Sequence, residues 1–275
     1  MKKLLKIITT SVLFLITNCL MAQDFQGIAI YKSHRKMDLK IDEKKVNSDM
    51  QKQIQEQLKR QFQQEYTLNF NRNESYYKQN EKLDRPSPPS SSGITIKLNQ
   101  GSDIIYRNIK ENRYANKTEI SGKIFLIKDT LQPKKWELVN ETKYIGEYAC
   151  FKAVFKEDYT TKTITEEGNY EDVTKERVVT VWYTPQIPVS SGPGDFFGLP
   201  GLVLEVNDGK LTLVCTKIVL NPEKEFEIVE PTKGKEVSQK EFDSIRKKKQ
   251  EENMEMFRSR KRGRDGESVF VTIGG

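Results

Sequence analysis

The sequence predicts an α+β protein: a meandering antiparallel β-sheet covered by an N-terminal amphipathic helix and followed by a basic C-terminal helix. Short alternating segments separated by polar turns succeed one another through most of the chain, which is the signature of a meander. Ser48-Asp-Met-Gln51 is a capping-box pattern ahead of apolar residues spaced every four, which marks a one-sided surface helix. Ser238-Gln-Lys-Glu241 is a second capping box, ahead of a highly charged stretch. With 275 residues, 36% hydrophobic and 31% charged, the chain has enough apolar material for a core and is too hydrophobic to be wholly disordered. It divides into a leader at 1–22, one β-rich domain at 23–237 and a basic helical extension at 238–275.

Residues 1–22 read as a secretory signal peptide. Lys2, Lys3 and Lys6 form the basic start, Val12–Ile16 the apolar centre, and Ala22 the small residue before Gln23. Thr9, Thr10, Ser11, Thr17 and Asn18 interrupt the run too often for a membrane anchor. Cys19 offers a lipoprotein alternative, for which Asn18 is a poor neighbour. A leader of this kind sends the chain out of the cytoplasm to an envelope compartment. Cleavage also lowers the net charge from +7 to +4, because it removes three lysines and no acid. The basic excess is then local: residues 238–266 hold ten Lys or Arg and six Asp or Glu. That stretch is a solvated helix face, or it makes peripheral contact with lipid headgroups or an acidic protein. The compartment excludes nucleic acid as a partner.

Phe25–Tyr31 is the opening strand. In the helix that follows, Met50, Ile54, Leu58, Phe62 and Tyr66 form the apolar stripe, which covers the domain's own sheet or closes a ligand cavity. Tyr66–Phe70 and Glu74–Lys78 alternate as strands, and Arg85–Gly93 is a proline-rich loop. Strands are expected at Ile104–Asn108, Lys117–Ile120, Lys123–Lys128, Trp136–Val139, Ala149–Lys156 and Val178–Tyr183. The threonine-rich stretch between Lys156 and Glu176 is a long hairpin tip. Asn207-Asp-Gly209 turns Leu202–Val206 into Lys210–Leu220. The second capping box opens a helix to about Arg262, with Phe242, Ile245, Met256 and Phe257 as its few apolar contacts, and Ser268–Ile273 is a last strand or an ordered tail. Cys150 and Cys215 both lie in strand-like runs. An oxidising compartment permits a disulfide between them, and two separate buried thiols fit the pattern as well.

The least ordinary stretch is 181–206. Pro185, Pro188, Pro193 and Pro200 remove backbone donors, while Gly192, Gly194, Gly198 and Gly201 permit unusual dihedrals. Phe196, Phe197, Leu199 and Leu202 sit among them, so a loop that would ordinarily be polar must bury these side chains or bind something with them. Trp182, Tyr183 and Pro200 complete the candidate ligand or partner loop. Gly198-Leu-Pro-Gly-Leu-Val203 resembles the signature of the GLPGLI family, secreted proteins of Gram-negative bacteria without established activity, and the resemblance implies a secreted, periplasmic or outer-membrane-associated protein of such a bacterium. Ile145-Gly-Glu-Tyr-Ala-Cys-Phe-Lys-Ala153 and Val181-Trp-Tyr-Thr-Pro-Gln-Ile-Pro188 are similar to that family's pattern too, and Val203 stands where isoleucine is usual. The resemblance supplies no catalytic residues. The order of strand, covering helix and meander also resembles the half-barrel of periplasmic lipoprotein carriers, in which a curved sheet encloses an apolar cavity. On that analogy the 192–202 loop gates the cavity or plugs the barrel end.

No nucleophile elbow, His-Glu-x-x-His helix or Cys-x-x-Cys pair is present, and His34 is the only histidine. No catalytic, cofactor or metal site is therefore expected. The expected function is a non-enzymatic envelope protein that binds a hydrophobic or lipid-like ligand in a curved sheet. The alternative is an interaction accessory of an outer-membrane protein assembly or receptor, contacting its partner through exposed loop aromatics or the basic helix.

Overall fold

Residue-by-residue alternation governs most of this chain, and it lays the backbone out as strands. The computed structural model describes residues 25–36, 39–40, 48, 62–81, 103–164, 170–262 and 272–273. The elements are β1 (Gln26–Arg35), β2 (Leu39–Lys40), β3 (Glu65–Asn71), β4 (Glu74–Gln79), β5 (Ile104–Asn108), β6 (Arg113–Ile120) and β7 (Lys123–Thr130). They continue with β8 (Glu137–Ile145), β9 (Tyr148–Ile164), β10 (Tyr170–Thr184), β11 (Leu202–Asn207), β12 (Leu211–Leu220) and β13 (Lys235–Val237). The helix α1 (Gln239–Arg262) and β14 (Thr272–Ile273) complete them. The molecule is mostly one large open sheet with one helix near the C-terminus.

Twelve strands join that sheet in the order β13-β7-β6-β5-β4-β3-β1-β12-β11-β10-β9-β8. Two meanders, β3–β7 and β8–β12, meet on β1, which pairs antiparallel with β3 on one side and β12 on the other. Strand β1 alternates strictly, with Ala29, Tyr31 and Ser33 buried and Lys32 and His34 exposed. Gly27 belongs to the buried set because a Cβ there would stand 2.3 Å from the Phe70 ring, so glycine lets the aromatic lie against the backbone.

The predicted strands are present, several of them longer. The Lys156–Glu176 hairpin is a ribbon in which Thr160 pairs with Thr174 and Tyr159 with Lys175. Its β-branched threonines suit an extended backbone. The second capping box forms as predicted: the Ser238 amide donates to Glu241 Oε2 (2.8 Å) and the Glu241 amide to Ser238 Oγ (3.3 Å). Asp129 at the end of β7 caps a further amide, that of Gln239, at 3.1 Å. Phe242 anchors the helix on Phe125, Ile127 and Val237, with Ile245 packed alongside, whereas Met256 is exposed. Among the described residues no helix is long and apolar enough to cross a membrane.

The predicted N-terminal helix is not supported. Met50, Ile54 and Leu58 lie outside the described residues, and the stripe's last member, Tyr66, belongs to β3, where it pairs with Tyr31 and Gln79. Alternation through Tyr66, Leu68 and Phe70 takes this residue from the four-residue spacing that precedes it. The leader at 1–22 and the Arg85–Gly93 loop also lie outside the described residues. The expected last strand is described at Thr272 and Ile273, which pair with β2.

Cys150 and Cys215 are separate free thiols. Cys150 is on β9 and Cys215 on β12, with β10 and β11 between their strands, and both are buried in one apolar cluster. The permitted disulfide is therefore absent from this structure. Burial pushes the Cys150 thiol up to about 11 and the Cys215 thiol up to about 12, so both remain protonated and unreactive near neutrality.

Candidate functional site

Strands β10 and β11 are hydrogen-bonded neighbours whose ends already meet, with Tyr183 opposite Val203 and Thr184 opposite Leu202. The chain between them, 185–201, must therefore leave the sheet and fold back onto it. Two glycines make the fold-back sterically feasible. A Cβ on Gly201 would lie 2.2 Å from the Thr184 carbonyl oxygen, and one on Gly192 would lie 2.5 Å from the Phe196 carbonyl oxygen. The loop then binds back to the strand it precedes: the Leu202 amide donates to Ile187 O and the Val203 amide to Ser191 O, both at 3.0 Å. From below, the buried Tyr31 hydroxyl donates to Val203 O at 2.7 Å. From the side, Trp136 Nε1 donates to Phe197 O at 2.8 Å.

The loop's apolar side chains divide between two clusters. Ile187 and Val189 join Leu202 and Leu204 over Tyr31, Leu68 and Phe70. Phe196 and Leu199 join Tyr183 and Val203 over Val179 and Val181. Fully burying a side chain of this size contributes about 1.5–3 kcal/mol, so the loop is held as core rather than as a free tip. Of the predicted loop residues, Tyr183, Phe196, Phe197, Leu199 and Leu202 are buried, Trp182 is half-buried and Pro200 is exposed. Trp182 receives Lys143 Nζ at 4.4 Å from its ring centroid. The expectation that loop aromatics stand free for a partner is thus corrected: Phe196 and Phe197 are buried in their own fold.

A cleft of about 420 Å³ opens under the loop. Tyr66, Tyr77, Ile105, Leu211 and Leu213 supply its apolar walls, and Gly194-Asp195-Phe196 contributes from the loop. Tyr66 and Tyr77 stack at 5.3 Å with their planes 7° apart, and burial raises both phenols, keeping them neutral. Four charged residues share the lining: Arg35, Asp103, Arg177 and Asp195. Arg35 lies over the Phe62 ring at 5.7 Å, while Arg177 is held by Glu157 (3.0 Å) and Asp208 (2.7 Å). Burial raises Asp103, opposed by a hydrogen bond with Thr118. Lys134 latches the loop's outer corner, pairing with Asp195 at 2.8 Å while its ammonium lies over Phe155 (4.7 Å) and Phe196 (5.6 Å).

Beside the cleft is a residue that the sequence reading missed. Arg107 on β5 is 2% exposed, its guanidinium 5.3 Å from the centroid of the Phe197 ring. Neither Nη1 nor Nη2 has a hydrogen-bond partner among the described residues. Ser75 Oγ, on the cross-strand neighbour of Arg107, and Asn116 Oδ1, opposite Ile105, are buried and unpartnered as well. Burial lowers the guanidinium to about 10, partly offset by Asp195, so it stays charged near neutrality. The signal in the sequence was a cation two residues after Ile105 in an alternating strand, hence on the same face. Among the described residues no three of His, Cys, Asp and Glu gather as a metal would need.

Residues 136–205 match the model of a family described as "Protein of unknown function (Porph_ging)". No curated protein matches the chain. The structure of PNGF-II in the C2 space group is similar at 14% identity with a TM-score of 0.47, over 82% of this chain and 33% of that one. Its structure in the P21 space group is similar at 15% identity with a TM-score of 0.46, over 81% and 33%. The chain thus spans about a third of the length of the protein it resembles.

Proposed function

We propose that this is a non-enzymatic envelope protein that holds a hydrophobic, lipid-like ligand against its sheet. The observation that carries the reading is the cleft of about 420 Å³, in which aromatic and aliphatic side chains share the lining with polar residues and with Arg35, Asp103, Arg177 and Asp195. Apolar walls with a few convergent polar groups suit a small ligand with an apolar body, and burying that body drives binding. In this reading the sheet is a curved half-barrel, Phe196 lines the ligand chamber, and the Lys134–Asp195 pair holds the loop over it. The chain reaches its compartment through the leader at 1–22. The Ile145–Ala153, Val181–Pro188 and Gly198–Val203 segments, which resemble the GLPGLI pattern, fall within the matched 136–205 region and support reading the chain as a GLPGLI-type secreted protein.

Native mass spectrometry of protein purified from the periplasm tests the reading. A retained small molecule of lipid mass is expected in the wild type, and its occupancy is expected to fall in a Leu213→Asp variant that puts a charge on the cleft wall. Bare polypeptide alone, under conditions that keep lipids on known carriers, would overturn it.

A further inference from the structure

Arg107 poses a chemical problem that the fold does not solve. A guanidinium at 2% exposure with both terminal nitrogens unpartnered has lost its water without regaining hydrogen bonds. The Phe197 face, 5.3 Å away, offers attraction to the cation but accepts none of its in-plane N–H bonds. The nearest carboxylate of the loop, Asp195, is committed to Lys134 at 2.8 Å. Ser75, the cross-strand neighbour of Arg107 on β4, presents a buried hydroxyl without a partner on the same face.

The placement of this group relates it to the cleft. Tyr77 and Ile105, which line the cleft, are a cross-strand pair, and Ser75 and Arg107 are the next pair on that face. Two residues along a strand is about 7 Å. Phe196 lines the cleft and its neighbour Phe197 covers Arg107, so one stretch of loop borders both. That stretch is flanked by Gly194 (φ 58) and Gly198 (φ 94), left-handed conformations that glycine adopts without strain.

We infer that Arg107 is the head-group site of the cleft: it binds the carboxylate of an apolar-tailed acid whose tail lies against Tyr66, Tyr77 and Leu213. The two free terminal nitrogens match a carboxylate bidentately, and the Ser75 hydroxyl supplies a further donor. Phe197 shifts aside as the head group enters and closes over it. This inference rests on the cleft being a ligand site and adds to it the class of ligand and the residue that selects it.

Isothermal titration of the purified full chain with dodecanoate, dodecanol, dodecyl phosphate and acetate tests it. The wild type is expected to bind dodecanoate at least tenfold more tightly than dodecanol, and acetate far more weakly than either. Arg107→Met is expected to remove the preference, so that dodecanoate and dodecanol bind with equal affinity. Arg107→Lys should retain part of the preference without the bidentate fork. Equal wild-type affinity for dodecanoate and dodecanol would overturn the inference, with no need of a variant, and would leave the apolar-ligand reading standing; this is also the result expected if water alone satisfies the Arg107 guanidinium. Failure of every alkyl probe to bind would overturn both readings. Tighter binding of dodecyl phosphate than of dodecanoate would overturn the choice of a carboxylate.

Discussion

Tyr31 shows how single side chains tie this sheet to its loop. It is fully buried on the central strand, and its hydroxyl reaches past the core to Val203 O. Burial raises its phenol well above the ordinary value, and it shares its cluster with Tyr77, Cys150 and Cys215, all raised for the same reason. Each of these groups holds its proton more tightly when folded than when unfolded. Their contribution to stability is therefore complete below the ordinary thiol value of 9.0 and is lost as pH rises towards about 11 and 12. Urea midpoints measured from pH 7 to pH 11 are expected to fall above pH 9, and a Cys150→Ala/Cys215→Ala variant is expected to fall less steeply. A midpoint that is flat to pH 11 would contradict the buried-thiol account. Thiol titration without reductant, followed by mapping of the labelled peptides, should find Cys150 and Cys215 reactive in the unfolded protein and neither of them reactive in the native one. At this scale the strand itself was legible, because Ile104-Ile-Tyr-Arg-Asn108 is a short β-prone run between polar turns. The isolation of Arg107 was not, because it depends on how Phe197, from a distant loop, lies over β5.

The C-terminal elements show which parts of the fold are locally encoded. The capping box at Ser238 and Glu241 is contained within four residues, and it closes as the sequence predicts. Strand β13 is too short to show periodicity; it exists because β7 needs an edge partner. It runs parallel to β7, with Lys235 opposite Phe125 and Val237 opposite Ile127. Among the described residues the far edge, β8, has no such cover, and it carries Glu137, Glu141 and Lys143, charges that discourage a second chain from pairing there. The extension beginning at residue 238 is therefore anchored to the domain, with Phe242 in edge-to-face contact with Phe125 at 5.6 Å. Truncation after Lys233 is expected to lower the melting temperature by several degrees and to promote self-association through the exposed β7 edge. Size-exclusion chromatography beside a thermal melt checks this, and a monomer with unchanged melting would count against the edge role. By contrast, the Arg246–Asp243 and Lys249–Glu252 pairs are exposed and contribute little to stability.

Across the whole molecule, β1 is the element on which both meanders depend. Gly27 pairs with Leu220 on one side and Phe70 on the other, so the second strand to be completed on β1 arrives from the far end of the domain. The local strands were legible because each carries its own alternation. The junction was not, since nothing between Phe25 and Arg35 states which partners flank it. Contacts of such long sequence separation are expected to make folding slow, on the order of milliseconds to seconds. They also bind the two halves into one cooperative unit: either meander without β1 would expose a hydrophobic edge and lose the cluster that joins Tyr31, Leu68 and Leu204. Both tryptophans, Trp136 and Trp182, report on the β8–β12 side, while far-UV circular dichroism reports on all strands. The two probes are expected to give coincident urea transitions in the wild type. Ala29→Asp, which places a charge in the buried face of β1, should shift both midpoints down together. A tryptophan transition clearly separated from the backbone transition would mean that the meanders unfold independently and that β1 does not couple them.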